Sequence, residues 1–407
     1  MKETTKNKSA IIIDRVALFF FFCLAFFLPI APAVIESSFG FLFLLFLIKI
    51  FIIRDFKNKT RIFLSDPLNL SLLIFYLCIG LSIFAAGPLW QKSLKPWFFK
   101  WGEGVWIFYL ARYFLNQKRV KIIISIFLLS ACLAGANGIY QSVYGIGFVR
   151  GFSLTAVENQ FSAVRSTFNH YNNFATFIIT MIMVSLGFLL YVKKRYLKII
   201  ISFLIAILFY NLFLTASRAG CLGLFAAVIF FSMFYPAKYN KKFLVYIFLL
   251  LFTIFVSTPK GADLIWGFIL RGDAGRFKIW EISFKMFYES PFIGQGIGLF
   301  MKKMKSYGFE SLYAHNCYIQ ILAETGLLGL GSFLFFLSCI FRHALKAFKR
   351  SADMVFLGLL SGLFAFLVHS FFDTQLYSLR LATLFWVLLG LISAYYPHPD
   401  KQKASQI

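Results

Sequence analysis

The strongest constraint on this chain is a repetition: apolar stretches close to twenty residues long recur from end to end, separated by short basic turns. About 20 mostly apolar residues are what a helix needs to cross the hydrocarbon layer of a bilayer. The candidate spans are 15–34, 38–53, 68–86, 97–115, 120–141, 172–192, 196–215, 218–235, 242–257, 315–341, 353–371 and 376–396. Hydrophobic residues make up 60% of the chain and charged ones 14%, whereas soluble domains hold about 45–50% and about 25%. The pattern predicts an all-α polytopic integral membrane protein of about 12 transmembrane helices. It divides into helices 1–9 over 1–257, a long loop over 258–314, and helices 10–12 with a tail over 315–407.

A formal charge of +25 raises the question of nucleic acid, and the placement of the charges answers it. They fall in short clusters between apolar runs, where they set topology and meet anionic lipid. No basic face of the kind that binds nucleic acid is formed. Alternate gaps carry Arg54, Lys57, Lys59 and Arg61; Lys118, Arg119 and Lys121; Lys193, Lys194, Arg195 and Lys198; Lys238, Lys241 and Lys242; and Arg342, Lys346, Lys349 and Arg350. By the positive-inside rule these gaps and both termini are cytoplasmic, and the 142–171 and 258–314 segments face the other side. The basic head and the apolar run behind it, despite a cleavage-like Ala31-Pro-Ala33, read as an uncleaved first helix. The six cysteines form no CxxC pair and read as small buried hydrophobes.

The long stretch from Pro259 to Gly329 leaves the apolar pattern and re-enters it at Ala314-His315-Asn316. A loop of this length between spans is usually functional. Within it, Gly275 to Ser290 reads as an amphipathic surface helix with Phe277, Trp280, Phe284 and Phe287 on one side. Glu281 and Lys285 form an i,i+4 pair. Pro291 ends the helix, and the Gly294-Gln-Gly-Ile-Gly298 run has no βαβ context for a nucleotide fingerprint.

On the outer side several cations break the topological bias: Arg150, Arg165, Arg218, Arg271 and Arg276. Cations near an apolar boundary are costly unless paired or functional, and phosphate is their natural ligand. Ser217 is placed to cap the helix that Arg218 opens, which would aim free N–H groups and a guanidinium at one point. The alternative is an interfacial arginine snorkelling to water. Arg276 opens the amphipathic helix as a second phosphate ligand, or as a solvated arginine paired with Asp273. His315 suits proton abstraction from a hydroxyl, with nearby arginines keeping the imidazole neutral, or it only bonds a backbone carbonyl. His170 and His369 carry the same two readings. There is no HExxH, acidic metal pair or GxSxG, so enzyme chemistry would use arginines for charge and histidine for protons, without metal.

The stretches Arg165–Ala175, Thr215–Gly220, Gly275–Trp280, Pro291–Gly298, His315–Gly326 and His369–Asp373, in that order, resemble the O-antigen ligase and polymerase superfamily of bacterial inner-membrane glycosyltransferases. The match covers the second half of the chain; the first half matches as generic spans, and Tyr171 stands where relatives often carry proline. The resemblance implies a GT-C-like glycosyltransferase in a Gram-negative inner membrane, with its active site facing the periplasm. It implies a polysaccharide donor on undecaprenyl pyrophosphate, a lipid A–core hydroxyl as acceptor, surrounding membrane lipids, and transfer with inversion without cofactor. By the same resemblance Arg218 and Arg276 bind the pyrophosphate and His315 is the base. Ser217, Arg165, His170, Asn316, Arg271 and Trp280 line the substrate. O-antigen polymerase, oligosaccharide transfer to protein, and a lipid-linked oligosaccharide flippase remain as alternatives.

Overall fold

The computed structural model describes residues 2–53, 66–157, 161–235, 253 and 274–395. Helices α1 (Lys2–Phe27), α2 (Pro32–Ile53) and α3 (Pro67–Ala85) are followed by the short α4 (Trp90–Lys95). Next come α5 (Gly102–Phe114), α6 (Gln117–Tyr144), α7 (Tyr171–Tyr191), α8 (Arg195–Leu214) and α9 (Arg218–Phe234). Beyond the undescribed segment lie α10 (Ala274–Glu289), α11 (Phe300–Ser306), α12 (Cys317–Ser351), α13 (Met354–His369) and α14 (Leu379–Tyr395). A two-stranded hairpin, β1 (Thr155–Val157) and β2 (Phe161–Ala163), stands between α6 and α7. The fold is all-α and polytopic. Among the described residues seven helices (α1, α2, α3, α6, α7, α8 and α12) are long and apolar enough to cross a membrane, and α9, α13 and α14 are shorter apolar helices. The expected span 242–257 (apart from residue 253), Arg271 and the first part of the long loop lie outside the described residues.

Short polar residues start these helices where the sequence places them. Asp66, Asn116, His170, Ser217, Asn316 and Asp353 each accept a backbone N–H of the first turn, satisfying groups the helix cannot pair itself. Because consecutive helices run in opposite directions, the ends of α1, α3, α6, α8 and α13 gather with the starts of α2, α5, α7, α9, α12 and α14. The basic clusters at 118–121, 193–198 and 346–350 all lie at the opposite end.

Helices α7, α13 and α14 form the interior, and nearly all of α13 and α14 is buried. Close approach of α7 and α13 relies on small residues. A Cβ on Gly187 would lie 2.4 Å from the Met354 carbonyl oxygen, and one on Gly358 would lie 2.8 Å from that of Met183. Helix association in lipid depends on such packing because burial supplies little hydrophobic drive there. Outward-facing Phe51, Phe84, Phe203 and Met233 are exposed, as lipid-facing side chains are.

Three sequence expectations are corrected. The first two spans were divided at residues 35–37, but the chain turns at Leu28–Ala31, between Pro29 and Pro32. Proline has no N–H to extend α1 and has the φ suited to opening α2, so Glu36 and Ser38 fall inside α2. The helix expected at 275–290 forms, with Glu281 paired to Lys278 and Lys285 at 3.0 and 2.8 Å. Its packed face is Ile279, Ile282 and Met286, with Trp280 as the helix's one aromatic packed against them; Phe277 and Phe284 are exposed, Phe277 at 64%. Of the cysteines, all free, Cys317 is buried but Cys132 is exposed, which costs little for a weakly polar thiol facing lipid.

The Pro291–Gly298 and His315–Gly326 stretches prove to be one structural unit. Gly326 interrupts α12 with φ 65° and ψ −166°, a conformation open to glycine and strained elsewhere. The break displaces the N–H groups of Leu327 and Leu328, which donate to the Pro291 and Phe292 carbonyls at 2.8 and 3.1 Å. Gln295 and Gly296 donate to Ala323 and Glu324 carbonyls at 3.0 Å. The buried Glu324 carboxylate then accepts Gly298 N–H, Phe300 N–H and the Tyr377 hydroxyl at 3.0, 3.2 and 2.9 Å. The glycines are needed for contact, since a Cβ on Gly294 would meet Glu324 backbone at 2.3 Å.

Candidate functional site

Three of the stretches that carried the chemistry share a backbone feature. Ser166, Ala216 and His315 have φ of 49°, 53° and 51°, and non-glycine residues adopt this left-handed region rarely and at a cost. Ser166 follows Arg165, Ala216 precedes Ser217, and the third is the expected base itself. Each holds a turn that delivers a polar residue to the same end of the bundle.

His315 lies just before α12, with its side chain 39% exposed and Nδ1 3.5 Å from Asp373 Oδ1. Asp373 stands in the connection between α13 and α14, and its side chain is 11% exposed. Burial by itself would raise its pKa. The hydrogen bond from His315, the field of His369 and the Thr374 N–H at 2.8 Å outweigh it and hold the carboxyl down at about 2. Next to Asp373 along the chain, the Phe372 carbonyl accepts Arg276 Nη1 at 3.2 Å. Trp280, one turn along α10 from Arg276, donates Nε1–H to the Ala314 carbonyl at 2.9 Å, fixing α10 to the residue before His315. The Cys317 N–H donates to the Ser370 carbonyl at 2.9 Å, so α12, the 370–374 turn and α10 are tied into one frame.

His170 caps α7 by accepting Asn172 N–H at Nδ1, 3.2 Å away, which leaves the proton of the neutral ring on Nε2. Burial pushes its pKa down. Asp373 opposes this, and His315, Arg276 and Arg165 push it further down, so all five groups share one electrostatic neighbourhood. Ser217 caps α9 by accepting Gly220 N–H at 3.1 Å, donates to Asn172 Oδ1 at 2.8 Å, and lies 3.5 Å from His369 Nε2. Arg218, the first residue of α9, is exposed and is held against α7 through Ser217 and Asn172.

Other expected residues have backbone partners as well. The Arg165 guanidinium donates to Ser153 and Asn169 carbonyls at 2.8 and 3.2 Å and packs 4.8 Å from the Phe152 ring. Asn316 accepts Tyr318 and Ile319 N–H groups at 2.9 and 3.0 Å; its carboxamide oxygen is the cap of α12. Tyr171, where proline was noted in relatives, is the first residue of α7, the position at which proline is favoured for its fixed φ. That departure leaves the capping intact.

One residue of the site escaped the reading of roles. Asp373 was quoted within a stretch but given no part; its pairing with His315 spans the whole of α12 and α13 and has no sequence periodicity. His369 is wholly buried beneath Ser217, with Gln375 Nε2 2.8 Å from its Nδ1 and Thr176 beside it. Among the described residues no cluster of three or more His, Cys, Asp or Glu side chains is arranged to hold a metal.

This arrangement has a half-exposed imidazole with its Nδ1 against a carboxylate, and the Arg276 guanidinium bonded to the carbonyl next to that carboxylate. It suits removal of a proton from a hydroxyl beside a departing anion. The family model described as O-antigen ligase matches residues 203–334, from within α8 into α12. The teichuronic acid biosynthesis protein TuaE of Bacillus subtilis (strain 168) is similar, at 21% identity over 365 residues, 83% of this chain and 74% of that protein. The chain is thus a multi-pass membrane protein whose resemblance to the O-antigen ligases holds over the segment carrying Ser217, Arg218, Arg276 and His315.

Proposed function

We propose that this protein transfers a polysaccharide from undecaprenyl pyrophosphate to a hydroxyl of lipid A–core, at the periplasmic face of a bacterial inner membrane. His315 Nε2 takes the proton of the acceptor hydroxyl as its oxygen attacks the anomeric carbon. The bond from that carbon to the pyrophosphate oxygen breaks with its electron pair leaving on the pyrophosphate, and attack from the opposite face inverts the centre. Asp373 keeps the Nδ1 proton in place and stabilises the imidazolium that forms. Arg276 and Arg218 offset the charge that grows on the leaving group, the contribution expected to be largest. His170 and Arg165 shape the rim of the same site, and Trp280 holds Arg276 and His315 in register.

The observation that carries this reading is the convergence of His315, Asp373 and Arg276 from three separated stretches on one end of the bundle. The test uses cells lacking their own ligase, complemented with wild type or His315→Ala. Wild type should restore long-chain lipopolysaccharide on a gel, and His315→Ala should leave finished polymer on its lipid carrier. Full activity of His315→Ala would sink the mechanism.

A second reading has specific support, because the relative named above is a teichuronic acid biosynthesis protein and its polymer is not an O-antigen. In that reading the acceptor is another carrier-bound chain, and the protein is a polymerase. Absence of any long polymer on the carrier in cells without this protein would favour it. The transporter alternative has no comparable support.

A further inference from the structure

Beside the site, at the same end of the bundle, lies a cavity of about 830 Å³ between α2, α5, α14 and the segment 95–100. This is within the range of about 300–1,000 Å³ that small-molecule sites occupy. Its walls are largely aromatic, with Phe39, Phe43, Phe98, Phe99, Trp106 and Trp386 among them. Phe98 and Phe99 are 59% and 64% exposed, so the cavity opens sideways, where a bilayer would lie. Tyr377 closes the inner end. Its carbonyl accepts Lys100 Nζ at 2.9 Å, its hydroxyl donates to Glu324, and its ring lies 6.3 Å from that of Tyr313, two residues before His315.

Charge at the cavity is divided. Lys95 lines the mouth, and Lys92 stands one turn before it on α4. The Ser93 hydroxyl bonds the Ile297 carbonyl at 2.9 Å, which brings α4 against the segment leading into α11, where Lys302 meets Lys92. Partial desolvation, and then the charge and contact of Lys92, push the Lys302 ammonium below its ordinary range. Among the described residues none of these three lysines forms an ion pair, whereas Lys278, Lys285 and Lys305 of the same region do. Like charges held together at a membrane boundary without a carboxylate call for an anion. Glu36, Lys100 and Glu103 also line the wall, Glu36 exposed, and Glu103 Oε1 is buried with no hydrogen-bond partner. A buried carboxyl oxygen is costly unless a donor reaches it.

We propose that this pocket seats the chains of a phosphate-bearing lipid, the acceptor of the transfer. Its phosphate rests on Lys92, Lys95 and Lys302, and a hydroxyl or amide N–H of its linkage region reaches Glu103. Aromatic walls alone would take any apolar chain; the lysine rim selects phosphate, and the unsatisfied carboxyl oxygen selects a donor near the head. Tyr377 and Tyr313 would then place the head group beside His315. The acceptor role rests on the transferase reading above; occupancy of the pocket does not.

The test is native mass spectrometry of the purified full chain in detergent. The probes are bis-phosphorylated lipid A, its dephosphorylated form, dioleoyl phosphatidylglycerol and undecaprenyl pyrophosphate. Lys92→Ala with Lys302→Ala should weaken retention of the bis-phosphorylated lipid about thirtyfold, on the order of one lysine–headgroup contact per side chain. The dephosphorylated lipid should be indifferent to that pair. Ala382→Phe, which fills the pocket, should weaken both forms, and Lys278→Ala, on the exposed face of α10, neither. Unchanged retention in the lysine pair and in Ala382→Phe overturns the site. Equal response of phosphatidylglycerol, or competition by undecaprenyl pyrophosphate alone, overturns the acceptor assignment. Because binding is read without turnover, an active His315→Ala enzyme would refute the transfer mechanism and leave this result standing.

Discussion

Asp373→Asn separates the role of the carboxylate from its shape. At 3.5 Å from His315 Nδ1, a full negative charge attracts a forming imidazolium by about 5 kcal/mol at an effective dielectric of about 20. His315 is 39% exposed, and water screening of so open a group removes more than half of this, leaving about 2 kcal/mol. Loss of that stabilisation in the transition state corresponds to a fall in kcat of about thirtyfold, with KM for the lipid-linked donor little changed. The assay is transfer of a carrier-linked glycan in proteoliposomes, with both substrates varied. The same substitution has a second signature. The folded carboxyl is held at about 2 against its ordinary 3.8, so its ionised form stabilises the fold above that ordinary value by about 2 kcal/mol. This contribution is lost as pH falls through 3.8 towards about 2. Asp373→Asn should therefore melt earlier than wild type at neutral pH, and the gap should narrow across that acid window. A variant with kcat within threefold of wild type and an unchanged melting curve would refute the reasoning.

Further outcomes follow from the geometry. Gly294→Ala forces a Cβ to within 2.3 Å of Glu324 backbone at a φ of 70°; it should cost at least about 2 kcal/mol, read as lower yield and earlier unfolding in detergent, and a neutral result would deny the coupling of the 291–298 loop to the α12 break. Ser217→Ala removes the α9 cap and the bond to Asn172, so stability should fall by about 1–2 kcal/mol, with Ser217→Thr restoring most of it in the same melt. Arg276→Lys keeps charge but loses the planar fork; it should retain far less transfer activity than a simple charge requirement allows, and wild-type turnover would show that charge alone suffices.

The sequence by itself determined the helices, because crossing a bilayer demands runs of apolar residues that few other structures need. It located one cap, Ser217, through a single polar residue at the start of an apolar run, since a helix start leaves donors that only a local side chain can reach. It also singled out Arg276 and His315, whose polarity stands out against an apolar background. Where local rules compete, the reading strayed: Ile35-Glu36-Ser37 was taken as a break, yet the prolines on either side of Ile30 and Ala31 set the turn, because only they remove N–H groups. Arg276, Asp373 and His315 come together from a surface helix, an inter-helix turn and a helix start, and no spacing along the chain encodes that meeting. The glycine run at 294–298 likewise matched no fingerprint, and only the break at Gly326 gives the backbone around it partners. Arg165 and Asn316 were legible as polar residues in the right stretches, but which of their atoms are already committed to backbone partners is decided in three dimensions. Periodicity and capping act over a few residues, so the sequence displays them; site assembly depends on how whole helices pack, and only the tertiary structure fixes that.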